Sequence, residues 1–257
     1  MIPMDWHVHS RYSDDGEMSV WKIAEQAVDL GLKVVGIVDH VRETTPWLAD
    51  RMRDVAFARR CFENQLRIFS GIEVSMASCD GTSRLPRSSE WYDYVVVSAH
   101  SIPGAVKYSA MERPDLILRW WVKAMSRLLR SDCGHIIGHP DRILNDRSKV
   151  DSGSANGLLG PLEGSQWYME LNPKSKYPDQ FLLRAPHRPG LKHHLVFGSD
   201  AHTKAQFREL HANIGAVESA LTRAGNERFL RYLENRTWPA LSVSYDALSA
   251  SSEYRTS

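Results

Sequence analysis

The segment DWHVHS, residues 5–10, places two histidines, His7 and His9, one residue apart. In a strand both imidazoles point to one face, because side chains alternate with a period of two. Two imidazoles so placed can grip one metal ion. The spacing recurs near the end of HHLVFGSDAH (193–202) as Asp200 and His202, with a carboxylate in the first place. Between these pairs, Asp39 and His40 end KVVGIVDH (33–40), Glu73 lies in RIFSGIEV (67–74), His100 closes YDYVVVSAH (92–100) and His139 falls in GHIIGHPD (134–141). Neutral imidazole suits zinc and iron, carboxylate suits manganese, and one carboxylate can bridge two ions through its two oxygens. Glu73 stands alone on its run and is the natural bridge. Multi-metal sites recur in phosphate ester hydrolysis, where the ions activate water and stabilise charge on the attacking and leaving oxygens.

These residues need elements that bring them together. The runs that carry them, with MDWHVHS (4–10) at the start and QWYMELN (166–172) as the sixth of seven, are nearly continuous in Val, Ile and other apolar residues. Such runs indicate strands buried on both faces, as in a parallel sheet. Helical segments separate them. In SVWKIAEQAVDLG, Ser19 is a cap, Val20, Ile23, Ala24, Ala27 and Leu30 form an apolar stripe, and Gly31 is a stop. DLILRWWVKAMSRLLR (115–130) reads as a second helix, and GAVESALTRAG and NERFLRYLENR as C-terminal helices. Strands alternating with helices predict an α/β barrel or a doubly wound sheet. In both, the C-terminal strand ends form the active face. A single histidine there is usually an ordinary polar residue; donors at six of seven strand ends carry the argument. Of the eleven histidines, His135, His187, His193, His194 and His211 fall outside the set and read as structural or surface residues.

The bounds agree with an enzyme of modest size. The chain has 257 residues, 42% hydrophobic and 25% charged, long enough to bury a sizeable core. Thirty-two basic residues against 31 acidic ones leave a net charge of +1, so nothing draws the chain generally to nucleic acid or anionic lipid. Three cysteines, Cys61, Cys79 and Cys133, without a CxxC, argue against a disulfide framework and favour a reduced, cytoplasmic setting. MIPMDWHVHS lacks the pattern of a signal peptide, and no stretch reaches the roughly 18 apolar residues of a membrane span. The loop 76–90 is polar, and Pro186 and Pro189 make 177–190 a poor helix.

Taken together, DWHVHSRYSDDG, GIVDH, GIEV, VVVSAH, IIGHPD, MELN and VFGSDAHT resemble the polymerase and histidinol phosphatase (PHP) family of metal-dependent phosphoesterases, in its order and spacing, over about residues 4–205. The resemblance implies a distorted (β/α)7 TIM-like barrel, expected as a single domain over residues 1–244; the polar end, SASSEYRTS, makes 245–257 an expected flexible tail. The resemblance also implies two or three divalent ions (zinc, manganese or iron) at the C-terminal strand ends. His7, His9, Glu73 and Asp200 would hold the first, Glu73, His100 and His139 the second, and Asp15, His40 and His202 the third. Asp14 competes with Asp15 for its role; Asp15 directly precedes Gly16 and is preferred.

Around these ligands, Asp39 is a candidate proton donor to the leaving group, as is His202; Asp39 is equally a candidate to orient an imidazole through its second nitrogen. Arg142 and Lys174, then Arg11 and Arg42, are candidate phosphate-binding cations, and Asn172 a candidate hydrogen-bonding residue. The expected reaction is in-line attack on a small phosphate monoester, such as histidinol phosphate, by a hydroxide that the metals activate. The alternatives are a nuclease or nucleotide phosphatase, which the neutral charge does not favour, an amidohydrolase acting on a C–N bond, and a non-catalytic metal-binding module. The oligomeric state is not legible.

Overall fold

The structure, a computed structural model, describes residues 3–42, 44–76, 91–100, 114–140, 142, 152–174, 190–214 and 216–235. Most of the loop 76–90, the segment 177–189, Cys79 and the expected tail 245–257 lie outside them.

Seven parallel strands form one sheet in sequence order: β1 (Met4–Val8), β2 (Val34–His40), β3 (Arg67–Ser75), β4 (Tyr94–Ser98), β5 (Ile136–Gly138), β6 (Tyr168–Leu171) and β7 (Leu195–Phe197). Six helices are described: α1 (Val20–Asp29), α2 (Leu48–Phe62), α3 (Pro114–Leu128), α4 (Ser152–Glu163), α5 (Lys204–Ala212) and α6 (Ala216–Glu234). The sheet curls until its two edges nearly meet. A parallel bridge joins Val8 to Ala201, the Asp200 N–H donates to the His7 carbonyl at 2.7 Å, and the His9 N–H donates to the Ala201 carbonyl at 2.9 Å. The result is a distorted seven-stranded barrel of the TIM-like class.

Both strand faces are buried, which is why the strands read as unbroken apolar runs. Outward residues such as Val35, Ile37 and Ile68 pack under α1 and α2, while Val95, Val97, Ile137 and Met169 pack under α3 and α4. Trp6, Val38, Tyr94, Val96, Ile136 and Tyr168 form a third cluster with Phe229 of α6. Trp6 meets Phe229 at a ring separation of 4.7 Å and Tyr94 at 5.9 Å, both edge-on, the preferred geometry of aromatic pairs.

Local chemistry sets the helix ends. Ser19 Oγ accepts the Lys22 N–H and starts α1, and Gly31 takes the left-handed φ of 74° that stops it. The two expected C-terminal helices are one: α6 runs without a break through Gly225. That glycine permits a close approach, since a Cβ there would lie 1.9 Å from the Leu195 carbonyl oxygen of β7. Next to it, Asn226 Oδ1 accepts from the Trp6 indole and the Phe197 N–H, pinning α6 to the barrel. No described helix is long and apolar enough to cross a membrane.

Candidate metal centre

The C-terminal strand ends bring all nine candidate donors together. His7 and His9 face each other through their Nε2 atoms at 3.0 Å. Glu73 Oε2 lies 3.6 Å from His7 Nε2 and 3.4 Å from His9 Nε2, and Asp200 Oδ1 lies 3.8 and 3.1 Å from the same atoms. Glu73 divides its oxygens. Oε1 faces His139 Nε2 at 2.9 Å and His100 Nε2 at 3.2 Å, while Oε2 faces the His7–His9 pair and His40 Nδ1, the last at 2.8 Å. Asp15 reaches His202 Nε2 at 3.1 Å and His40 Nε2 at 3.6 Å. Among the described residues, three groups have donor atoms within 4.8 Å of one another: His7, His9 and Asp200; His9, Asp15, His40 and His202; His40, Glu73 and His100. His40 thus stands beside Glu73 as well as beside Asp15.

Burial grades across the centre. His7, His9, Glu73, His139 and Asp200 are buried, whereas the side chains of His40, His100 and Asp15 are 32%, 27% and 56% exposed. The set with Asp15 and His40 is therefore the rim.

Several devices aim these side chains. The register of β1 against β2 slips between Asp5 and Val8, so that Trp6 packs below while the next residue, His7, enters the donor cluster; such irregularities commonly re-aim a side chain beside an active site. His139 (φ 26°) and Asp200 (φ 52°) adopt left-handed backbone, strain of about 1–3 kcal/mol that is characteristic of functional turns. Glu170 of β6 accepts from His7 Nδ1 at 2.7 Å, which leaves His7 Nε2 as the inward atom. His202 Nδ1 lies 2.8 Å from the Asp200 carbonyl oxygen, and its Nε2 faces inward, 3.1 Å from Asp15. Thr203 Oγ1 caps α5 on the Gln206 N–H, and Gln206 Oε1 accepts the His202 N–H, which fixes the chain where His202 leaves the strand. Asp5 closes the seam beneath, accepting the His7 and Ser199 N–H groups on Oδ1 and pairing with His211 Nε2 at 2.8 Å on Oδ2.

The electrostatics follow from this crowding. Burial would lower His7, but the charges of Glu170 and Glu73 outweigh it and raise the imidazole well above its ordinary value. His9, equally buried, falls to about 4, the pull of Asp200 and Glu73 being too weak to offset burial. Burial would raise Glu73, yet His7 and hydrogen bonds from His100, His139 and His40 hold it well below the carboxylate range. Asp200 is depressed likewise, burial being overcome by His9 and His7. The cluster is thus built for carboxylates that stay ionised beside imidazoles.

Other expected residues are placed differently from one another. Arg142 and Lys174 reach the centre: Arg142 Nη1 lies 3.8 Å from Asp200 Oδ2, and Lys174 Nζ donates to the Asp200 carbonyl and lies 3.4 Å from Oδ2. Asn172 is buried and donates to Glu170 Oε1 at 2.8 Å while its Oδ1 accepts the Lys174 N–H, so it supports neighbours. Arg11 and Arg42 turn away, towards Asp54 at 3.7 Å and Asp14 at 3.6 Å. Those pairs also separate Asp14 from the donor cluster that Asp15 joins. Asp39 does not reach the pocket as a proton donor. It is fully buried, ion-paired with Arg51 at 2.5 Å, and accepts from the Ser10 N–H, Ser10 Oγ and Ser13 Oγ. Arg51 outweighs the burial that would raise its carboxyl, and holds it below the ordinary value.

The sequence reading passed over Glu170, Asp5, Ser13 and Arg51. Only Glu170 left a trace, an i, i+2 pairing with Asn172 at the end of the sixth run. The donor set suits divalent ions: among the described residues, the carboxylate oxygens Glu73 Oε2 and Asp200 Oδ1 are buried without a well-formed hydrogen bond, an arrangement that costs free energy unless a cation satisfies it.

The PHP domain family matches residues 5–174. The chain belongs to this family. Membership of this family, with His, Asp and Glu clusters that could hold metal, marks the chain as a metal-dependent phosphoesterase. Among solved structures, the PHP fold here is similar to histidinol phosphate phosphatase from Lactococcus lactis subsp. lactis, crystallised with zinc, L-histidinol and phosphate (TM-score 0.58, 16% identity, 88% of this chain and 92% of that one). It is also similar to a proposed histidinol phosphatase from Listeria monocytogenes (TM-score 0.56, 14% identity, 79% and 96%). At these identities the likeness concerns the fold. No curated protein matches the chain significantly in sequence.

Proposed function

We propose that this protein is a phosphatase acting on a small phosphate monoester, with two or three divalent ions held by the nine donors. The supporting observation is the way Glu73 splits its carboxylate: one oxygen faces His139 and His100, the other His7, His9 and His40. That is the arrangement a bridging ligand requires. His7, His9, Glu73 and Asp200 would hold one ion, Glu73, His100 and His139 a second, and Asp15, His40 and His202 a third. Imidazole with carboxylate fits zinc, iron or manganese. Bound there, the ions supply activation of water and neutralisation of charge on the phosphoryl oxygens.

The chain's own contribution is orientation and charge. Glu170 holds His7 as a ligand, and the Asp200 carbonyl lies against His202 Nδ1. Arg142 and Lys174, both beside Asp200, are positioned to bind phosphate oxygens from the open side; Arg is suited to take two oxygens at once. A monoester like histidinol phosphate is the first candidate, by fold likeness to the phosphatase crystallised with L-histidinol and phosphate.

Metal analysis of the purified protein, with hydrolysis of a panel of phosphomonoesters including histidinol phosphate and nucleotides, tests the proposal. The expected result is two or three equivalents of metal and turnover that His9→Ala and Glu73→Ala abolish. Metal without monoesterase activity would redirect the proposal to a diester or a C–N bond. No metal and no activity after reconstitution would overturn it.

A further inference from the structure

A fully buried network lies behind His9, and it fixes where the His9 proton sits. Ser13 Oγ is its centre. It lies 2.9 Å from Asp39 Oδ1, 2.9 Å from His9 Nδ1 and 3.0 Å from the His40 backbone nitrogen. A hydroxyl has one proton to donate and two lone pairs to accept with. The Asp39 carboxylate can only accept, and it is locked as an anion by Arg51 Nε at 2.5 Å. Arg51 is itself spent: Nη1 donates to Ser70 Oγ, and Nη2 to the carbonyls of Ile37 and Gly71. The Ser13 proton therefore goes to Asp39. Both Ser13 lone pairs then receive donors, the His40 N–H and a proton on His9 Nδ1.

We infer that Ser13, anchored by Asp39 and Arg51, is a positioning residue that holds His9 as the Nδ1–H tautomer, so that Nε2 is presented unprotonated as a metal-binding atom. The chain from Arg51 through Asp39 and Ser13 does for His9 what Glu170 does for His7. It also reaches the rim, because the same hydroxyl holds the backbone of His40. Asp39 thus acts at a distance from the reaction, with both its oxygens occupied. The inference rests on the metal-site proposal above for its purpose, though not for its geometry.

The test reads the proton directly. In a long-range proton–nitrogen correlation spectrum of the metal-stripped protein near neutral pH, His9 is assigned by its loss in His9→Gln. The expected wild-type spectrum shows Nδ1 protonated and Nε2 bare. Ser13→Ala should give a mixture of tautomers and bind zinc about 10–100-fold more weakly in chelator competition. Ser19→Ala, which removes a helix cap away from the centre, should bind zinc as the wild type does. A wild-type His9 protonated on Nε2 overturns the inference whether or not any variant folds, as does a Ser13→Ala protein with unchanged tautomer and zinc affinity. Wild-type protein that shows the expected tautomer but binds no zinc would leave the relay standing and sink the metal-site proposal instead.

Discussion

Glu170→Gln is the sharpest test of how the centre is supported. Glu170 is buried; Oε2 accepts from His7 Nδ1 at 2.7 Å and Oε1 accepts from Asn172 Nδ2 at 2.8 Å. Asn172 cannot flip to compensate, because its Oδ1 already accepts the Lys174 N–H at 2.9 Å. A glutamine has one acceptor oxygen and one NH2 group in almost the same volume. Its NH2 must face either the Asn172 amide, leaving two donors in contact, or His7 Nδ1, driving the His7 proton to Nε2 and blocking ligation. A buried donor left unsatisfied costs about 1–3 kcal/mol. At a factor of ten per 1.4 kcal/mol, that is a loss of roughly 5–140-fold in zinc affinity. Measured losses at the outer partners of metal ligands, about 10–100-fold, fall in the same range. Glu170→Ala should cost more in stability, about 2–6 kcal/mol in denaturant unfolding, since both His7 Nδ1–H and Asn172 Nδ2–H lose their acceptor. Chelator competition is the assay for the glutamine variant. Zinc affinity within about threefold of wild type would refute the reasoning, because it would mean His7 does not depend on its outer partner.

Four further outcomes are expected. Gly198→Ala should weaken zinc binding and destabilise by about 1–3 kcal/mol, the usual cost of overpacking, because its Cβ would lie 2.7 Å from Glu170 Cδ and 2.8 Å from His7 Cβ; chelator competition and urea melts read both. His7 carries a raised pKa and must give up its proton to ligate, so zinc binding should release protons and affinity should rise with pH until His7 is neutral without metal; calorimetry in buffers of different ionisation enthalpy detects this. Graded chelation should remove metal first from Asp15, His40 and His202, the exposed set, and last from the buried His7–His9 pair, as metal content against chelator concentration would show. Lys174→Ala should raise KM for a phosphomonoester, whereas Arg42→Ala should leave it unchanged, because Lys174 lies at Asp200 and Arg42 faces outward to Asp14.

Much of this protein was legible because its governing interactions are local. Burial on both faces forces continuous apolar runs, and those runs mark all seven strands; a serine cap and a left-handed glycine mark α1. The alternation of a strand puts His7 with His9 and Asp200 with His202 on common faces, so the donor types at the strand ends could be read along the chain. Helix α2 escaped notice because Arg51 interrupts its buried stripe, and an arginine is an unlooked-for member of a core. The division at Gly225 was misread because a glycine in a helix resembles a stop until the strand packed against it is known.

What tertiary structure alone decided is which donor serves which. His7 and Glu170 are 163 residues apart, and Asp5 and His211 are 206 apart; they meet only when the barrel closes. The same holds for the charged candidates. Arg142 and Lys174 were already favoured over Arg11 and Arg42 by their place along the chain, but only the fold shows that the first two lie at Asp200 while Arg11 and Arg42 pair with Asp54 and Asp14. Residue type and spacing along one strand determine which groups are available. The directions of their hydrogen bonds depend on neighbours from other strands, and those directions decide which nitrogen keeps its proton and which is left bare for a metal.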